Sequence, residues 1–180
     1  MDILLTSANY VRAVTSISDN LDGNYLLPAI WEAQELRLRS VLGDCLLDRL
    51  KEIVAADAQE DPENAAYKAL LDKCQRLLAY TTVVEVIPKV SWKVGNFGLT
   101  RSTDENLREA SGDEIDKAMQ AWQDKADVWC KEVQRFCIEN AAAFPELRAC
   151  DCARMRANLY SAASCGWWLG GARGKIVRRG

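Results

Sequence analysis

Seven cysteines, at positions 45, 74, 130, 137, 150, 152 and 165, are the most chemically versatile side chains in this sequence, and no histidine accompanies them. Without histidine there is no Ser-His or Cys-His nucleophile and no imidazole base, which removes most familiar hydrolase designs. Carboxylate or lysine chemistry remains open in principle. However, no Gly-x-Gly-x-x-Gly turn, phosphate loop or metal-binding helix motif is present. Cys150 and Cys152 form a Cys-x-Cys pair rather than Cys-x-x-Cys, and even with Cys165 a zinc site would need a distant fourth ligand. The expected state of the cysteines is therefore reduced, buried thiol, with no metal, no cofactor and no catalytic residue. The chain is read as a non-enzymatic structural or interaction component.

Charge is distributed unevenly along the 180 residues. The net charge is −3, yet from Glu146 onward Arg148, Arg154, Arg156, Arg173, Lys175, Arg178 and Arg179 face only Glu146 and Asp151. That segment is +5 by difference, which leaves −8 on the first 145 residues. A basic terminal segment on an acidic body is suited to an acidic partner surface or a nucleic-acid backbone. Trp167, Trp168 and Leu169 lie among Gly166, Gly170, Gly171 and Gly174, so they are hard to bury within their own segment. Aromatic anchors beside arginines have the composition of interface hot spots. Trp167, Trp168, Leu169, Arg173, Lys175, Arg178 and Arg179 are thus the candidate partner-binding residues.

Helices are expected to position these groups. With 49% apolar and 27% charged residues the chain has the composition of a folded domain. The start, Met1-Asp2-Ile3-Leu4-Leu5, lacks a basic signal region, and no stretch is apolar enough for a membrane span, so neither secretion nor membrane insertion is expected. Ser7 can cap a first short helix. The turn formers between Asp19 and Asn24 precede a helix from Pro28, at its first turn, to Leu42, which Gly43 ends. Asp44 can cap the next helix, through Val54. Tyr67, Leu70, Leu71, Cys74, Leu77, Leu78, Thr81 and Val84 predict a long helix after Pro62, stopping near Ile87 because Pro88 disfavours the α conformation before it. Val90-Ser91-Trp92-Lys93-Val94 alternates, and Gly95-Asn96-Phe97-Gly98 supplies a turn, so a projecting β-hairpin or loop is expected around 89–112. Trp92, Lys93, Phe97, Leu99 and Arg101 are its candidate inter-subunit or tail-facing residues. Ser111 and Glu114 form a capping box opening the longest helix, about 28 residues or roughly 42 Å. The fold class is therefore all-α: a helical bundle with one long helix, the projecting hairpin or loop, and an extended C-terminal tail. Residues 1–147 form the helical domain and 148–180 a basic, Trp/Gly-rich docking segment.

The run from Leu27 to Gly43, LPAIWEAQELRLRSVLG, followed by Leu77-Leu78-Ala79-Tyr80 and Glu85-Val86-Ile87-Pro88, resembles the head-tail connector proteins of tailed bacteriophages. Asn96 to Ser111, the long helix, Val133-Gln134-Arg135-Phe136 and Phe144-Pro145-Glu146-Leu147 continue the likeness, which covers roughly residues 20–147. The resemblance implies a virion structural protein: a homo-oligomeric ring, commonly of twelve subunits, beneath the portal protein. Such a ring joins capsid to tail, meets tail or further connector proteins, lines the DNA channel near the genome without reading its sequence, and sits at the portal vertex after assembly in the host cytoplasm. The tail from 148 onward falls outside the likeness. The alternative from another class is a cytosolic helical adaptor or regulatory module that binds a protein or nucleic acid through its basic tail. The acidic body and the lack of a helix-turn-helix weigh against a sequence-specific DNA reader.

Overall fold

Between residues 65 and 91 apolar side chains fall on more than one face of a single segment, and that segment is the axis of the molecule. The structure is a computed structural model that describes residues 3–15, 17–18, 21–95, 98–101 and 112–149, with only the backbone of 91–101 and 149. The fold is all-α. Its elements are α1 (Ala8–Val14), α2 (Gly23–Glu32), a π-helical segment (Ala33–Leu38), α3 (Arg39–Leu42), α4 (Asp44–Ala55), a 3-10 turn (Pro62–Asn64) and α5 (Ala65–Ser91). They are followed by β1 (Trp92–Gly95), β2 (Gly98–Arg101), α6 (Gly112–Glu139) and α7 (Glu146–Ala149). The two strands pair antiparallel, with Trp92 opposite Arg101 and Val94 opposite Leu99.

α5 buries Tyr67, Leu70, Leu71, Cys74, Leu77, Leu78, Ala79, Val83 and Val86, together with Thr81 and Thr82. Consecutive buried positions such as 77–79 and 81–83 occupy more than half of a helical turn, so the helix needs neighbours on several sides, with Asp72 and Arg76 left on its exposed side. The larger apolar cluster joins α3, α4, the first part of α5 and α6 through Leu42, Leu46, Leu47, Leu50, Leu70, Leu78, Val133 and Phe144. The smaller one joins α1 and α2 to α5 through Val11, Leu26, Ala29, Ile30, Ala79 and Val86. α7 closes the first end of α5: Phe144 meets Tyr67 edge-on at 5.3 Å between ring centroids, and Tyr67 Oη donates to Glu146 at 2.9 Å. Burial, and then the Glu146 carboxylate, pushes the Tyr67 phenol up.

The element boundaries correct several expectations. Ser7 does cap α1, accepting from the Tyr10 amide. α2 begins at Gly23 rather than Pro28, because the Asp22 carboxylate accepts from the Asn24 amide at 3.0 Å and caps the helix earlier. Pro28 then lies inside α2, where it forfeits one ladder bond. Asp44 is the first residue of α4 rather than its cap; Gly43, at φ 78°, makes the turn. α5 passes through Pro88 to Ser91. The proline sits in the last turn, where losing the amide bond to the Val84 carbonyl interrupts little helix downstream. Ser111 of the expected capping box lies outside the described residues. Cys45 and Cys130 are disulfide-bonded, whereas Cys74 and Cys137 are free and buried. Seven thiol positions carry no through-space information, so the expectation of uniformly reduced cysteines could not foresee this.

Two polar devices organise the core. Gln34, fully buried at 0% exposure, accepts from the Leu5 amide at 2.8 Å and donates to the Ile3 carbonyl at 2.9 Å. Gln75 donates to the Leu5 carbonyl at 2.9 Å. Two helices thus satisfy the backbone of the amino-terminal segment as a neighbouring strand would, while Leu5 packs into the larger cluster. The second device is Glu35, which accepts from Lys51 Nζ at 2.6 Å and from Arg39 Nε at 2.9 Å, while Arg39 also reaches Asp44 at 2.6 Å. The network ties the π-helical segment, α3 and α4 around Gly43.

Burial alone would raise the Glu35 carboxyl, but hydrogen bonds from Lys51, Arg39 and Gln34 and the charge of Lys51 outweigh it and hold the group below its ordinary 4.5. A lowered folded pKa gives stability that is complete above the ordinary value and is lost as pH falls through the folded one. Glu35→Gln should therefore destabilise the protein near neutral pH by about 1–2 kcal/mol. In urea unfolding the gap between variant and parent should close as the pH is lowered below 4.5. A gap that stays constant down to strongly acidic pH would remove the carboxylate from this role.

Candidate partner-docking site

Three helical elements leave a groove between them where the packing of α5 on α6 opens. All four buried residues of α6, Ala126, Cys130, Val133 and Cys137, lie in its second half. Along the first half the helices are separated by a groove of about 630 Å³, lined by side chains from α5, α6 and the π-helical segment. Val84 and Pro88 of α5 and Met119 of α6 supply its apolar part. Glu85, Asp116 and Asp127 supply three carboxylates against one guanidinium, that of Arg37.

Hydrogen bonds fix part of this lining. Arg37 Nη2 donates to Gln123 Oε1 at 3.1 Å, and Gln123 Nε2 donates to Asp127 Oδ1 at 2.8 Å. The guanidinium is thus held on the amide, and the amide on a carboxylate. Glu85 and Asp116 have no hydrogen bond or ion pair to any described residue. Pro88 adds a further acceptor, since it has no amide hydrogen for the carbonyl four residues back, and that residue is Val84, in the same lining. The groove therefore offers an apolar surface with surplus negative charge and surplus acceptors, a combination suited to a cationic chain that carries apolar groups.

The interaction residues expected from sequence are placed only in part. Trp92 and Lys93 lie on β1 and Leu99 and Arg101 on β2, joined to the end of α5. Phe97 lies outside the described residues, as do Trp167, Trp168, Leu169, Arg173, Lys175, Arg178 and Arg179. Sequence reading missed the groove. Its lining comes from segments between residues 37 and 127 that only the packing of α5 on α6 brings together, although the proline inside a strong helical period was a local sign of it.

Apolar side chains also remain exposed on several elements, Val90 at the end of α5 among them. Leu27, Trp31 and Leu36 are exposed along α2 and the π-helical segment, with Leu36 at 63%, and Val128 and Ile138 are exposed on α6, with Val128 at 60%. Among the described residues no cluster of potential ligands could hold a metal ion, and no helix is long and apolar enough to cross a membrane. Burial, joined by the neighbouring Cys137, pushes the Cys74 thiol well up, and burial pushes Cys137 up to about 12. Thiols held neutral in the core are poor nucleophiles. A maleimide applied to the native protein near pH 8 should leave Cys74 and Cys137 unmodified in peptide mass spectra and label both after unfolding. Labelling of either at native conditions would show that the α5–α6 core opens.

Residues 38–157 match DUF6712, a family of unknown function. No curated protein and no solved structure matches the chain. The family match begins in the π-helical segment and takes in α3 to α7 and the groove lining except Arg37, two-thirds of the sequence, so the chain belongs to the DUF6712 family.

Proposed function

We propose that this protein is a head-tail connector of a tailed bacteriophage, a structural subunit that forms a ring beneath the portal protein, joins capsid to tail and surrounds the passing DNA. The observation that carries the reading is the exposure of apolar side chains on separate elements: α2 with the π-helical segment, the end of α5 at Val90, and α6. A subunit of a closed ring presents two unlike surfaces, one to each neighbour, and each must keep some apolar area outside the subunit's own core. The absence of histidine, which disfavours most hydrolytic catalysis, fits a structural role, as does an acidic body that would let DNA slide past without adhering.

In this reading the segment around 89–112 projects from the bundle and presents Trp92, Lys93, Phe97, Leu99 and Arg101 to a neighbouring subunit or to the tail. The C-terminal segment carries Trp167, Trp168 and Leu169 to a partner, the portal, with Arg173, Lys175, Arg178 and Arg179 orienting the approach. Two tryptophans bury on the order of 200 Å² each, at about 25 cal/mol per Å², so a partner pocket stabilises their docking by several kcal/mol. Rim charges govern association rate and register more than affinity.

Light scattering and native mass measurement of the protein, alone and with the portal of the same genome, test this directly. A ring is expected at least in the portal's presence. A chain that stays monomeric and leaves the portal unbound would defeat the proposal. Truncation after Ala163 should leave helix content unchanged and shift the unfolding midpoint little while abolishing portal capture; a truncated protein that is several kcal/mol less stable yet still binds would assign the tryptophans to the core. Deleting residues 95–101 should spare folding and impair assembly, whereas loss of folding would place that segment in the core.

A further inference from the structure

We infer that the groove between α5 and α6 is an intramolecular receptor for the chain's own basic C-terminal segment, holding it until a partner takes it over. The inference rests on the docking role proposed above for that segment and says where its residues go when the partner is absent. The groove's apolar lining, Val84, Pro88 and Met119, is edged by Glu85, Asp116 and Asp127. Two of these carboxylates, Glu85 and Asp116, have no cationic partner among the described residues. The Val84 carbonyl lacks the usual helical donor four residues on, since Pro88 has no amide hydrogen.

The matching chemistry is in the same chain. Past residue 163 the sequence carries Trp167, Trp168 and Leu169 followed by Arg173, Lys175, Arg178 and Arg179, with no acidic residue. A guanidinium or ammonium suits each free carboxylate, and an indole suits the apolar lining. No described element offers a comparable run of unpaired cations: Arg39, Arg49, Lys51, Lys68, Lys73, Lys89 and Arg135 are already in ion pairs.

The reach is sufficient. α7 sits at the first end of α5, where Tyr67 bonds Glu146, and the groove lies at the other end, around Pro88. From Tyr67 to Pro88 the helix rises roughly 32 Å at 1.5 Å per residue. The 18 residues from Ala149 to Trp167 span up to about 60 Å when extended. A tether of that length keeps the segment at an effective concentration near millimolar, so even weak docking is populated. The same tether lets it leave for a competing surface that offers deeper tryptophan pockets.

The experiment uses the full chain. Zero-length carbodiimide coupling, which joins an ammonium to a carboxylate in direct contact, should link Lys175 to Glu85, Asp116 or Asp127. The yield should fall about tenfold in the charge-reversed Glu85→Lys, Asp116→Lys variant and also at high salt. Both substituted side chains are unpaired among the described residues, and an unchanged helical circular dichroism spectrum would verify folding. Glu85→Gln, a milder change, should lower the yield in the same direction. Coupling in a mixture of light and nitrogen-15 copies should give no mixed-isotope links. Mixed links would make a second copy the occupant and overturn the intramolecular assignment. Links from Lys175 only to other carboxylates, no link at all, or a yield indifferent to charge reversal would overturn the groove. Loss of portal capture with the link intact would sink the connector reading alone, and capture without the link would sink this one alone.

Discussion

The constraint on which this structure depends is that α5 has to be covered on several sides at once, although Asp72, Arg76 and Val90 stay exposed. A helix with buried residues at 77–79 and again at 81–83 cannot lie on a surface, since each consecutive side chain points about 100° from the last. Four neighbours supply the cover, with α1 and α2 on one flank, the π-helical segment with Gln34, α6 along the other flank, and Phe144 with α7 across the first end. The ion pair between Lys89 and Glu32 fastens the far end of α5 to α2. Each neighbour is short or one-sided, so none has reason to be stable without α5. The fold is in this sense a sheath around one helix, and its cooperativity follows from that arrangement.

Covering α5 uses up the apolar faces of its neighbours unequally, and the surplus is where function can reside. The buried residues of α6 all lie in its second half, while its first half meets α5 through Trp122 against Tyr80 and supplies much of one wall of the groove. α2 and the π-helical segment turn Leu26, Ile30, Gln34 and Leu38 inward while Leu27, Trp31 and Leu36 remain outside. The surfaces proposed for neighbouring subunits and for the tail are thus consequences of how the core is closed.

The sequence made the periodic helices legible and obscured the places where two local rules compete. The step pattern from Tyr67 to Val84 located α5, because a sustained 3.6-residue period has few other readings. Gly43 was legible as a stop, since a φ of 78° favours glycine. The two prolines misled for one reason: the Asp22 cap and the packing of Val86 against Val11, Leu26 and Ala29 each outweigh the single hydrogen bond that a proline forfeits. Widening of the helix at Ala33–Leu38, where the Arg39 amide reaches the Gln34 carbonyl, leaves no trace in composition. Gln34 itself reads as an ordinary polar helix residue until its partners, some thirty residues away in sequence, are seen beside it. The groove was illegible for a similar reason, since Arg37, Glu85 and Asp116 are brought together only by packing.

Charge separation gives the last link between fold and proposed role. Three carboxylates in one groove lower the local potential, and water screens them only in part because Glu85 and Asp127 are half-buried. Were the seven basic residues after Glu146 distributed over the helical body, they would neutralise it and give passing DNA phosphates something to hold, with an affinity that grows with each contact. Confined to one terminal segment, they can be covered by a groove or by a partner while the body stays repulsive to nucleic acid. In the proposed ring the same partition therefore serves two ends: adhesion is concentrated in a segment that a protein surface can cover, and the body keeps a net negative charge toward DNA.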